Sequence, residues 1–175
     1  MSAALKFTGK VVLVTGSSRG IGAEIARGFA REGATVVVNY LSNAEAAEAV
    51  VAQCQAAGGD AWAVQADVGS PEAVRAMVDG IVQDAGRLDV VVNNALRHYA
   101  FDPRQRTAFD AIGWQDYQSQ FDGAVGAAFN VCRAALPHFK QRAQGAIVNI
   151  ASNLVEHPVV PVSYTHLTLP TTPYV

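Results

Sequence analysis

Val11-Val12-Leu13-Val14 leads straight into Thr15-Gly16-Ser17-Ser18-Arg19-Gly20-Ile21-Gly22, and that turn leads into a helix-like stretch from Ala23 to Arg31. A buried strand, a glycine-rich turn and a helix start therefore follow one another near the beginning of the chain. This order makes a site for an anionic diphosphate. The first N–H groups of a helix have no partners within it, and the helix dipole adds partial positive charge at the same place. Glycine is needed where a Cβ would hold phosphates away from the backbone. A glycine pattern alone is often an ordinary turn. The flanking strand and helix give this one its weight.

Outward from that turn, strands and helices alternate. Val11–Thr15 is followed by a helix from about Gly20 to Arg31, with Ile21, Ile25 and Phe29 on one face and Gly33 as its stop. Thr35–Tyr40 reads as the second strand. Ser42-Asn43-Ala44-Glu45 reads as a capping box opening an alanine-rich helix to about Ala57, and Gly58-Gly59 turns the chain. Ala61–Gln65 is a third strand, and Ser70-Pro71 opens a helix to about Asp84 with proline at its first position. Leu88–Asn93 is the fourth strand. A long helix is expected from about Trp114 to Arg142, with a break near Gly123 or Gly126, and Ala146–Ala151 is the fifth strand. Valine on both faces of these strands calls for a parallel sheet covered on both sides, hence an α/β doubly wound, Rossmann-type domain. Ligands of such sheets bind beyond the C-terminal strand ends, where the strand order reverses. Leu96 to Gly113 is the longest irregular stretch and leaves such an end. It is either a substrate-side loop or a variable surface insertion.

Size and composition narrow the class. The 175 residues suit one domain, half of them apolar and 16% charged, which is a globular composition. A net charge of −2 gives no reason to expect nucleic acid or an anionic membrane as partner. Met1 to Lys10 holds no long apolar run and no stretch approaches membrane-spanning length, so a cytoplasmic protein is expected. Cys54 and Cys132 lack partners at metal spacing and read as reduced thiols. His98, His138, His157 and His166 share no ligand spacing, so no metal site is expected. Trp62 and Trp114 read as packing residues, and Lys6, Lys10 and Arg142 as solvated.

The turn has the spacing Gly-x-x-x-Gly-x-Gly, with Thr15 before its first glycine. Asp67-Val68 follows the third strand, Asn93-Asn94-Ala95 ends the fourth, and Ile147-Val148-Asn149-Ile150-Ala151-Ser152 is the fifth with its terminal serine. With these motifs in this order, each at a strand end, the chain resembles the short-chain dehydrogenase/reductase family over about residues 6–161. The resemblance implies a nicotinamide dinucleotide and hydride transfer between it and a carbonyl or alcohol, with 3-oxoacyl thioester reduction as the substrate reading. It implies that Gly16, Ser18, Arg19, Gly20 and Gly22 form the cofactor turn, with Ile21 toward the nicotinamide. Asp67 and Val68 would frame the adenine, and Asn94 and Ala95 the ribose path. Leu96 departs from the glycine usual after Asn-Asn-Ala. A homo-oligomeric parent protein is implied as well.

Cofactor choice follows from charge. NAD sites carry an acid at the end of the second strand, whereas NADP sites lack it and place a base nearby. Val38-Asn39-Tyr40-Leu41-Ser42 has no acid, and Arg19 lies in the glycine turn. NADP is therefore expected in preference to NAD.

For catalysis the resemblance implies a serine on the carbonyl oxygen, a tyrosine as proton donor, a lysine four residues beyond it and an asparagine on the long helix. Ser152 matches the serine, and Ala124 stands where the asparagine would. Tyr164 lies twelve residues after Ser152 instead of the usual thirteen, and Thr168 replaces the lysine. The stretch Val162 to Val175 has neither helical nor strand periodicity and resembles a translated sequencing adapter. The expectation is therefore a dinucleotide-binding domain over 1–161 and a non-native tail over 162–175, which makes Tyr164 a coincidence of position. The sheet is then incomplete at its C-terminal edge, and the fragment inactive and prone to aggregate. Two further readings stand beside the enzyme. One is a non-catalytic dinucleotide-binding module, and the other a doubly wound protein for a different phosphate ligand.

Overall fold

The computed structural model describes residues 5–96 and 113–151. Ser152, Tyr164, His98, His157, His166, the stretch over 97–112 and the stretch over 162–175 lie outside the described residues. The elements run β1 (Val11–Val14), α1 (Gly20–Arg31), β2 (Thr35–Tyr40), α2 (Ala44–Ala56), β3 (Asp60–Gln65), α3 (Pro71–Ala85), β4 (Val90–Asn93), α4 (Trp114–Phe121), a π-helical turn (Asp122–Gly126), α5 (Ala127–Arg142) and β5 (Ala146–Asn149). The five strands form one sheet in the order β3-β2-β1-β4-β5, and every neighbouring pair is parallel. Parallel neighbours need long crossovers, which the helices supply.

Successive strand side chains point to opposite faces. Val12, Val14, Val36, Val38, Val90 and Val92 pack with α1 and α2, while Val11, Leu13, Val37 and Val91 pack with α3 and α5. The sheet is thus doubly wound, as its valine-rich strands imply. The β1–β2 register (Val12 opposite Val36) and the β1–β4 register (Val12 opposite Val90) bring the C-terminal ends of the central strands level.

Local details differ from the sequence reading in instructive ways. The buried side of α1 is Gly22, Ala23, Ala26 and Ala30, whereas Ile21 is exposed. Small residues let this helix approach the sheet closely, so the larger ones are displaced to its flank. There Phe7 meets Phe29 edge-on at 4.8 Å. Asn43, not Ser42, caps α2, its side chain accepting from the Ala46 N–H at 2.9 Å. Ser70 caps α3 through the Ala73 N–H, and Gly86 ends α3 in the left-handed conformation. The long helix does not break at Gly123 or Gly126. It continues through a π turn over Asp122–Gly126, with helical backbone on both sides. Trp114 stacks on Tyr117 but is 77% exposed, so it is not a core residue.

Below the sheet, the buried Asp89 carboxylate accepts from the Val11 N–H at 2.9 Å and from Arg87 Nε and Nη2 at 2.6 Å each. Lys10 Nζ stands 3.6 Å from it and is half-buried, so Lys10 is not simply solvated, whereas Arg142, with Nη2 at 3.9 Å, is exposed as expected. Burial pushes the Asp89 pKa up, but the Arg87 hydrogen bonds, the Val11 N–H and the charges of Arg87 and Lys10 outweigh it and hold the carboxyl below its usual range. His138 is likewise not isolated, since its Nε2 lies 3.1 Å from Asp79 on α3. Every residue of β5 is exposed, as are Phe129 and Leu136 on α5.

Candidate functional site

Strand order reverses between β1 and β4, and a cavity of about 970 Å³ lies beyond the C-terminal strand ends there. Its walls come from four connections. Gly16, Ser18 and Arg19 belong to the turn before α1, and Asn39 to Asn43 to the end of β2 and the start of α2. Asp67, Val68 and Gly69 follow β3, and Asn94, Ala95 and Leu96 follow β4. The π turn and the first part of α5 close the remaining side through Asp122, Gly126 and Asn130.

The three glycines of the turn serve three different needs. Gly20 has φ +58° with open space around it, so only its backbone conformation calls for glycine. Gly22 has ordinary φ, but a Cβ there would lie 2.5 Å from Asn94 Nδ2 and 2.7 Å from the Gly16 carbonyl oxygen. Gly16 combines both, with φ +61° and a Cβ position 2.9 Å from Ala95 Cα. Gly20, Ile21 and Gly22 do not line the cavity themselves; Gly16, Ser18 and Arg19 do.

Two amides of the turn are already committed. The Gly16 N–H donates to Asn39 Oδ1 at 3.1 Å and the Ser17 N–H to the Asn39 carbonyl at 2.9 Å. The Ser17 hydroxyl turns inward to the Val14 carbonyl at 2.7 Å. The start of α1, by contrast, carries no side-chain cap. Its N-cap is Arg19, and its first turn holds no acid. The Ala23 N–H, which donates to the Arg19 carbonyl, begins the internal ladder. Helix starts are normally capped by a side-chain oxygen or a carboxylate. An uncapped one at the wall of a cavity is suited to an anion.

Opposite the turn, Asp67 accepts from the Gly69 N–H at 2.8 Å and remains exposed on the wall. Asn130 of α5 donates to the Val68 carbonyl at 3.1 Å and ties the long helix to this loop. Asn94 proves to be a brace. Its Nδ2 donates to the Thr15 carbonyl at 2.9 Å and the Gly16 carbonyl at 3.2 Å, while Thr15 Oγ1 accepts from the Asn94 and Ala95 N–H groups at 3.0 Å each. Asn93 is buried and donates to Asn149 Oδ1 at 2.9 Å, linking β4 to β5. No carboxylate stands at the end of β2, where Tyr40, Leu41, Ser42 and Asn43 face the same cavity as Arg19. Ala124 lies within the π turn.

The structure thus brings Gly16, Ser18, Arg19, Asp67, Val68, Asn94 and Ala95 to one cavity. The sequence reading names Thr15 only as the residue before the first glycine and gives Asn39 and Asn130 no role at the site. For Asn39 a signal was present: a lone amide ends the run Val36-Val37-Val38 in a strand covered on both faces, and a buried amide there must find partners.

This fold agrees with what known proteins show. The family model described as short chain dehydrogenase matches residues 10–164. The chain belongs to the short-chain dehydrogenase family. It is 38% identical over 143 residues to a 3-oxoacyl-acyl-carrier-protein reductase of Staphylococcus aureus, covering 82% of this chain and 56% of the relative. Among solved structures it is similar to a 7α-hydroxysteroid dehydrogenase complexed with NADH and 7-oxo glycochenodeoxycholic acid. That match has TM-score 0.82 and 32% identity, covering 93% of this chain and 61% of the other. A metagenomic short-chain oxidoreductase in complex with NADP matches at TM-score 0.77 and 33% identity, covering 87% and 66%. This short-chain dehydrogenase chain spans about half the length of the curated relatives it matches. Among the described residues no helix is long and apolar enough to cross a membrane, and no group of His, Cys, Asp or Glu could hold a metal ion.

Proposed function

We propose that the cavity beyond β1 and β4 binds NADP(H), and that the protein uses it to transfer hydride between the nicotinamide and a carbonyl or alcohol. The observation that carries this reading is the uncapped start of α1 beside Arg19 at the cavity wall. The diphosphate would take the amides beyond Gly16 and Ser17, where Ser18 and Arg19 line the cavity next to the helix start. Asp67 and Val68 would frame the adenine. The 2′-phosphate would lie between Arg19 and the acid-free end of β2, where a guanidinium suits it and a carboxylate would repel it. A neighbour in complex with NADP supports this choice, and one in complex with NADH supports a nicotinamide cofactor more generally.

The domain would run over 1–161, with Ser152 as the hydroxyl on the substrate carbonyl. The staphylococcal relative makes a 3-oxoacyl thioester the substrate class of this proposal. Free Cys54 and Cys132 suit a cytoplasmic setting, and the exposed Phe129 and Leu136 suit a homo-oligomer. Ala124 favours a second reading, a dinucleotide-binding module without catalysis.

Fluorescence titration of the 175-residue chain with NADPH and NADH tests the cofactor. A charge-assisted contact predicts a preference for NADPH of about tenfold or more, removed by Arg19→Ala. Equal or tighter NADH binding overturns the NADP(H) reading, and no binding of either overturns the functional one. Turnover of a 3-oxoacyl thioester with NADPH by the product of the uninterrupted gene separates the enzyme from the silent module.

A further inference from the structure

The side chain of Asn39 crosses the floor of the cavity and joins two of its walls. It is 2% exposed, and its Oδ1 accepts from the Gly16 N–H at 3.1 Å. Its Nδ2 donates to the Ala66 carbonyl at 3.1 Å and the Val64 carbonyl at 3.4 Å. The Asn39 backbone carbonyl takes the Ser17 N–H at 2.9 Å. One residue at the end of β2 thereby grips the glycine turn with one hand of its amide and the end of β3 with the other. The turn leads to Arg19 and the start of α1, and β3 leads through Ala66 to Asp67 and Val68.

We infer that Asn39 is a positioning residue for the dinucleotide. Resting on the NADP(H) reading above, the inference is that Asn39 sets the spacing between the wall that frames the adenine and the turn that holds the diphosphate. Both walls are loops, and loops are otherwise free to shift independently. A ligand that spans two walls binds tightly only when their spacing is fixed before it arrives. A carboxamide is the side chain that fits the task, because it offers an acceptor and a donor on the same carbon. Leucine has a similar size and neither group. Aspartate keeps the acceptor for Gly16 but sets an oxygen against the Ala66 carbonyl.

The test compares the parent chain with Asn39→Leu and Asn39→Asp at a temperature where circular dichroism shows all three folded. NADPH affinity is expected to fall about tenfold or more in both variants. Hydrogen exchange without cofactor is expected to quicken together at residues 15–19 and 66–69, while β1 stays protected. A purely structural role would lower the melting temperature and leave the NADPH affinity of folded molecules unchanged. Affinities within twofold of the parent, or loosening of only one wall, overturn the inference. If the parent binds neither NADPH nor NADH, the cofactor reading fails. The exchange result then decides the coupling of the two walls by itself: joint loosening upholds it, and unchanged exchange overturns it.

Discussion

Replacing Gly22 and Gly20 separately by alanine distinguishes close packing from backbone conformation in the same turn. At Gly22 the new methyl carbon would lie 2.5 Å from Asn94 Nδ2, 2.7 Å from the Gly16 oxygen and 2.9 Å from Ser17 Cα. Two of these three atoms are backbone, so the strain cannot be relieved by a side-chain rotation. Overpacking of this kind costs about 1–3 kcal/mol. Asn94 would also be pushed off the Thr15 and Gly16 carbonyls, at about 0.5–1.5 kcal/mol per bond. Alanine narrows the unfolded ensemble, which returns about 0.4–1 kcal/mol. The net loss for Gly22→Ala is about 1–6 kcal/mol, centred near 3. Gly20→Ala meets nothing within 4 Å and must only hold φ +58°. Its left-handed conformation costs about 1–2 kcal/mol, partly offset by the same unfolded-state effect, for a net loss near 1 kcal/mol. Thermal unfolding followed by tryptophan fluorescence measures both. Gly22→Ala should melt several degrees below Gly20→Ala and lose NADPH binding, whereas Gly20→Ala should retain it in weakened form. A Gly22→Ala protein that melts within a degree of the parent would refute the packing argument.

Other outcomes follow from the same geometry. Removing the Asp89 charge with Asp89→Asn should cost about 1–3 kcal/mol at neutral pH in urea unfolding. This is less than a fully enclosed pair would lose, because Arg87 is 29% exposed and can turn to water. The folded Asp89 pKa is lowered, so its contribution is complete above the unfolded aspartate pKa and is lost as pH falls through the folded value. The parent should therefore lose stability below about pH 4, and Asp89→Asn should lose less over the same window. Asn94→Leu should unfold at lower urea and bind NADPH more weakly, since the brace on Thr15 and Gly16 goes; an unchanged midpoint would contradict the bracing role. Phe129→Lys combined with Leu136→Lys should reduce self-association in light scattering without shifting the melting temperature by more than a few degrees, because both side chains are exposed.

Much of this protein was legible before any tertiary contact was known. Val11 to Gly22 announced a strand, a turn and a helix, and the α1 and β2 boundaries agree with the structure residue for residue. Ser70-Pro71 marked the start of α3 because a side-chain cap and a first-turn proline are local features. The cavity residues after β1, β3 and β4 were accessible for a similar reason, since motifs at strand ends keep their place when the sheet is parallel. Periodicity misled at Ile21, because helix–sheet distance, which chooses the buried face, is not a property of the helix alone. The reading of Lys10 as solvated missed its partner Asp89, which lies far from it along the chain.

The sequence by itself determined the alternation of elements, the sheet type and the identity of the glycine turn, because hydrophobic period, caps and turn residues act over a few positions. Only the tertiary structure decided which amides of that turn remain for a ligand. The Gly16 and Ser17 N–H groups are taken by Asn39, a residue more than twenty positions away that β1–β2 pairing brings alongside. Hydrogen-bond satisfaction is settled by what stands within about 3 Å in space, and no local pattern records that.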